Sequence, residues 1–218
     1  MSEFEFYMSV LQALESIGAR YMVVGAYGAS VYGVSRTTHD IDLIVDLDSK
    51  ACDALSAHFP LPRYYADPDH FRNSIDLGIM FNIIDTSLGL KADLVPLSRE
   101  PEYRQAFAQR IRAVVVDSQG NEFEIWCARP EDIIIGKLRA WQEGRSAKHP
   151  SDIYAMLNFL LSGLGQIELD LNNITRQAAR IGPEALTLWG ELITRAQIEV
   201  EQRPPFDQNS TQEPDETA

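Results

Sequence analysis

A chain of 218 residues, 45% of them hydrophobic and 23% charged, carries enough apolar material for a real core in one domain, or one domain with a smaller companion. The formal net charge of -13 argues against a broad, non-specific grip on nucleic acid, which needs a basic surface, although a local basic patch stays open. No run of eighteen apolar residues exists, so no membrane span is expected, and the acidic start MSEFEFYMS is not read as a signal peptide. The two cysteines, Cys52 and Cys127, stand alone; they fit a reduced, cytoplasmic protein and lack the partners a zinc site needs.

In chain order, Phe4, Tyr7, Met8, Leu11, Leu14 and Ile17 share one helical face, which predicts an amphipathic helix over 3–18 ended by Gly18. Tyr21 to Val24 reads as a short buried strand stopping at Gly25, and the small and aromatic stretch 26–33 as a short helix. Ile41 to Val45 is a second strand. Ser49 opens a helix to His58 as its N-cap. Arg63 to Asn73 is mixed and polar and receives no element. Ile79 to Ile84 and Lys91 to Val95 are two strands joined by the turn 85–90. A helix near 100–109 follows, then a hairpin of 113–116 and 122–126 around 117–121. From Pro130, suited to a first helical turn, the pattern is helical: 130–143, 150–162 and one or two more to about 200. The expected fold is α+β, close to α/β: a small mixed sheet flanked by helices over 1–127, a C-terminal helical lobe over 128–202, and a Pro-, polar- and acid-rich disordered tail over 203–218.

The chemistry gathers at Arg36-Thr-Thr-His-Asp40-Ile-Asp42-Leu-Ile-Val45. Alternation on a strand sends Asp40 and Asp42 to one face and Ile41, Leu43 and Val45 to the other. Two acids so placed repel each other and call for a cation; Mg²⁺ held by carboxylates and substrate phosphates is the natural one. A third acid, Asp93, shares a strand face with Lys91 and Val95. If that strand lies beside the first, three acids converge, enough for a two-metal site that activates a hydroxyl and steadies an in-line phosphoryl displacement. A bare Asp-x-Asp alone more often marks a solvated loop or a cap.

The upstream run Val23-Val-Gly25-Ala-Tyr-Gly28-Ala-Ser-Val-Tyr-Gly33, followed by Asp40-Ile-Asp42, resembles the signature of the DNA polymerase β-like nucleotidyltransferase superfamily. The further pattern Arg36-x-Thr-x-Asp-x-Asp is similar to its abortive-infection and toxin-type branch, as are Lys91-Ala-Asp93-Leu, the segment Pro130 to Ala140 with Lys137, and Lys148-His-Pro-Ser-Asp152. The resemblance spans roughly residues 20–160. It implies Asp40, Asp42 and Asp93 as metal ligands for Mg²⁺ or Mn²⁺ and catalytic residues, with Lys137 at the triphosphate or as general base. It places Gly25, Ala26, Arg36, Lys91 and Asp152 in nucleotide binding. Two positions depart from the pattern: Ala26 stands where the family has Ser or Gly, and Ala155 where a second acid is expected after Asp152.

The activity so implied moves a nucleoside monophosphate from an NTP to an acceptor hydroxyl on RNA such as a tRNA 3′ end, on a protein, or on a small molecule. The toxin of a toxin–antitoxin or phage-defence pair, with an antitoxin partner, is one form of it. Arg139, Arg145, Lys148 and His149 offer a basic cluster that suits a phosphate backbone and equally a solvated helix end. The competing reading is a catalytically weak or inactive nucleotide-binding protein of the same fold, which Ala26 and Ala155 favour.

Overall fold

The computed structural model describes residues 3–36, 38–99, 103–116, 120–164 and 167–202. The expected tail at 203–218 and the tip of the hairpin at 117–119 lie outside the described residues. Elements run in the order α1 (Glu3–Ser16), β1 (Arg20–Val24), α2 (Gly25–Ser30), β2 (Asp40–Asp46), α3 (Ser49–Ala57), β3 (Tyr64–Tyr65), α4 (Pro68–Leu77), β4 (Phe81–Asp85), β5 (Leu90–Pro96), α5 (Tyr103–Ala108), β6 (Ile111–Val116), β7 (Glu122–Cys127), α6 (Pro130–Gly144), α7 (Lys148–Leu161), α8 (Leu171–Ile181) and α9 (Pro183–Gln202). The expected boundary between 127 and 128 falls in the link from the last strand to α6.

The strands form one mixed sheet in the order β3-β4-β5-β2-β1-β7-β6. Its central strands mix both pairings: β2 runs antiparallel to β1 and parallel to β5, and β1 runs parallel to β7. Ile41, Leu43 and Val45 are fully buried on one face of β2, in the same core as Phe6, Val10, Leu11 and Leu14 of α1. Burying such side chains contributes roughly 1.5–3 kcal/mol each. The opposite face of β2 presents Asp40, Asp42 and Ile44 to a cavity, so the alternation read from the sequence sets core against site.

Two local readings change. The N-cap of α3 is Asp48, not Ser49: its carboxylate accepts from the Ala51 N–H at 2.8 Å, and Ser49 is the first helical residue. The unassigned polar stretch contains a whole helix, α4, with Asp67 as N-cap accepting from the His70 N–H at 2.9 Å, Pro68 in the first turn and Gly78 closing it in the left-handed conformation. Its punctuation was present, but its buried side is narrow, Phe71 and Ser74 alone, so periodicity was faint. The turn between β4 and β5 is pinned by Asp85, fully buried, which accepts from the Ser87 and Leu88 N–H groups and the Ser87 hydroxyl and pairs with Arg63. No helix among the described residues is long and apolar enough to cross a membrane.

Candidate active site

The parallel register of β2 and β5 sets Asp42 opposite Asp93 and Asp40 opposite Lys91. The three acids therefore come to one end of the sheet, on one face, as alternation and the expected pairing require. They are not equivalent. Asp40 accepts from the Thr38 hydroxyl at 2.8 Å through Oδ1 and has Lys91 Nζ at 3.9 Å from Oδ2. Asp93 is buried, and both its oxygens are taken: Asn82 Nδ2 donates to one and Lys91 Nζ to the other, each at 2.5 Å. Asp42 is pushed up to about 6, first by burial and then by the charges of Asp40 and Asp93, with Lys91 and Lys137 pulling the other way.

Gly25 makes this packing possible. It sits at φ +67°, and a Cβ there would lie 2.8 Å from Asp42 Cγ and closer still to Oδ2. The backbone thus passes over the Asp42 carboxylate with no room for a side chain. Gly25→Ala is expected to cost about 1–2 kcal/mol from the left-handed backbone alone, and more from the collision. Thermal melting should register the loss, and nucleotide binding should fall with it.

Magnesium is typically held by one or two carboxylates together with waters and substrate phosphates. Asp40 and Asp42 supply that donor set, and the raised Asp42 carboxyl marks an excess of negative charge that a divalent cation relieves. Both Asp93 oxygens are already taken by Asn82 and Lys91, so its use as a ligand would require Lys91 to move. Among the described residues no group of three or more His, Cys, Asp or Glu side chains is arranged to hold a metal; the Lys91 ammonium lies between Asp40 and Asp93, 3.9 Å from the one and 2.5 Å from the other. Replacing Lys91 with Met should lower metal-free stability by up to about 1 kcal/mol, the scale of a half-exposed ion pair. Added Mg²⁺ should then raise the melting temperature of the variant more than that of the parent.

A second charged cluster lines the same cavity through Arg36 and Lys137. Asp152, in α7, accepts from Arg36 Nε at 2.8 Å and Nη2 at 2.9 Å, a two-pronged pair, and from Lys137 Nζ of α6 at 2.6 Å. Asp152 and Lys137 are buried, with 2% and 6% of their side chains exposed, whereas Arg36 is a third exposed. The two cations hold the Asp152 carboxyl below its ordinary range, and burial pulls the Lys137 amine down. One carboxylate thus steadies two cations, leaving the cluster net positive.

The cavity between the clusters has a volume of about 740 Å³, within the range of small-molecule sites. Gly25, Ala26, Arg36, Asp40, Asp42 and Lys137 line it. Asp152 acts on it through Arg36 and Lys137, and Asp93 and Lys91 stand behind Asp40 and Asp42. The basic cluster divides: Arg139, Lys148 and His149 line the cavity, but Arg145 turns to Glu184 and covers the Trp141 ring at 4.4 Å. Sequence reading assigned no role to Thr38, Asn82 or Asp132. Thr38 was visible two residues before Asp40, whereas Asn82 reaches Asp93 only through the antiparallel β4–β5 register, which pairs the two.

No family model matches the sequence, and no curated protein matches it. Solved structures do. An antigenic nucleotidyltransferase-like protein from Paracoccidioides brasiliensis matches at 18% identity and a TM-score of 0.45, covering 71% of this chain and 75% of that one. The antibiotic-resistance factor ANT(2'')-Ia matches at 13% identity and a TM-score of 0.43, over 89% and 92% of the two chains. The lincosamide antibiotic adenylyltransferase LnuA, bound to lincomycin, matches at 13% and 0.37, over 72% and 96%. The likeness is one of fold. The mixed sheet flanked by helices is the expected α+β architecture, and the chemistry rests on the side chains themselves.

Proposed function

We propose that this chain is a cytoplasmic, divalent-metal-dependent nucleotidyltransferase that moves a nucleoside monophosphate from an NTP to an acceptor hydroxyl. One observation carries the reading: Asp40 and Asp42 line a single cavity together with Arg36 and Lys137, so one site offers acids that suit a metal and cations that suit phosphate. Asp40 and Asp42 would hold Mg²⁺ or Mn²⁺, and Asp93 would join them on displacement of Lys91. The bound ion would neutralise phosphate charge and favour the attacking hydroxyl as its alkoxide. Lys137 and Arg36 engage phosphate oxygens, Gly25 and Ala26 let the backbone come close, and Asp152 fixes both cations. The acceptor oxygen bonds to the α-phosphorus as the bond to the β-phosphate bridge breaks, and pyrophosphate leaves. The acceptor belongs to RNA, a protein or a small molecule. A toxin role with an antitoxin partner is the form favoured by the toxin-type sequence pattern.

A second reading, a weak or inactive nucleotide-binding protein, draws support from Asp93, both of whose oxygens are satisfied within the protein, and from Ala26 and Ala155. Incubation with each α-labelled NTP and Mg²⁺, with and without total RNA, separates the two. Label transfer that disappears in Asp42→Ala is expected. Metal-dependent NTP binding with no transfer to any acceptor would favour the second reading, and no NTP binding at all would sink both.

A further inference from the structure

The cavity extends beyond its charged end. Ile44 follows Asp42 on the open face of β2, and Val95, Ala128, Ile133 and Gly136 make an apolar slot with Tyr103. Tyr103 of α5 lies against α6 where Gly136 has no side chain: a Cβ there would stand 3.6 Å from the Tyr103 hydroxyl. One helical turn earlier on the same wall is Asp132, which also lines the cavity.

Asp132 differs from the neighbouring acids. Asp40 accepts from Thr38, Asp93 from Asn82 and Lys91, and Asp152 from Arg36 and Lys137. Asp132 has no hydrogen-bond or ion-pair partner among the described residues. The charges that act on it are those of Glu131 and Arg129 rather than of Asp42 or Lys137. Burial raises its carboxyl to about 6. At neutral pH it is therefore a half-buried carboxylate on the cavity wall, without a protein partner among the described residues and able to accept N–H bonds from a ligand.

With the phosphates at Arg36 and Lys137, the slot is left for the nucleobase. A carboxylate selects among bases by their edges. Guanine presents two adjacent donors, N1–H and the 2-amino group. Adenine and cytosine set one amino group beside a ring-nitrogen acceptor, which a carboxylate repels, and the uracil N3–H lies between two carbonyls. We infer that Asp132 and Tyr103 form a guanine-recognising subsite and that GTP is the donor nucleotide. The inference rests on the nucleotidyltransferase reading above.

Equilibrium binding of ATP, CTP, GTP, UTP and ITP to the full chain with Mg²⁺ tests it. GTP should bind about ten- to a hundredfold more tightly than ATP, CTP or UTP, and ITP, which lacks the 2-amino group, about tenfold more weakly than GTP. Asp132→Asn, whose amide offers one acceptor and one donor, should lose the preference for GTP and gain affinity for ATP. GTP binding no better than ATP, ITP equal to GTP, or an Asp132→Asn variant with the parent's order of preference each overturns the assignment. Should that variant fail to fold, the ITP comparison on the parent decides. Failure of all five nucleotides to bind would overturn the nucleotide reading itself, whereas equal binding of all five removes only the guanine subsite.

Discussion

Asp42→Asn is expected to cut nucleotide transfer at least about a hundredfold, the scale for loss of one preorganised electrostatic contact, while making the metal-free protein more stable. The first effect follows from the place of Asp42 beside Asp40 on the open face of β2. The second follows from its surroundings: it is buried, and Asp40 and Asp93 repel its charge. A neutral amide of the same shape escapes both penalties, a gain on the order of 1–2 kcal/mol. The pH dependence fixes the cause. The folded protein holds the Asp42 proton to about pH 6 and the unfolded chain only to about pH 4. Raising the pH through that window therefore removes stability from the parent and not from the variant. The advantage of Asn should be full above about pH 6 and absent below about pH 4, as read by thermal melting with a chelator present. A variant less stable than the parent at pH 8 would contradict this account of the charges.

The largest structural cost is expected from Asp152→Ala. Truncation leaves Lys137, 6% exposed, without its counter-charge and releases Arg36 from its two-pronged pair. Stranding a buried charge costs about 3–5 kcal/mol, enough to unfold a marginal domain. The double variant Lys137→Met with Asp152→Leu removes the stranded charge along with its partner and should recover most of the lost stability in denaturant unfolding, yet bind NTP weakly. Recovery of stability without recovery of binding assigns the cluster to phosphate recognition; recovery of both would make it a structural ion pair only.

The site was more legible than its wiring. Asp40 and Asp42 follow from period-two alternation next to a greasy strand, and Gly25 from a strand that stops before a run of small residues. Lys137 and Asp152 were placed by pattern, but nothing in the spacing announced that Arg36, 116 positions from Asp152, shares the same carboxylate. Lys91 as the internal counter-ion of Asp93 could not be read from the strand, because sharing a face does not say which neighbour a flexible side chain will choose. Asp132 was hidden for another reason. At the start of α6 an acid is what the helix dipole favours anyway, and only the cavity wall distinguishes it from an ordinary first-turn carboxylate.

The two walls of the cleft grow from one point. Val23 of β1 pairs with Cys127 of β7, its carbonyl also accepts the Ala128 N–H at 3.0 Å, and Tyr32 donates to the Ala128 carbonyl at 2.7 Å. From there α2 leaves on one side and α6 on the other, and at Gly28 a Cβ would meet Ile133 at 2.9 Å. The cleft is thus a wedge riveted at its vertex. The end of the cleft at Gly25 and Asp42 is therefore set by close backbone contacts, where even a methyl group at Gly25 or Gly28 would force a neighbour to move.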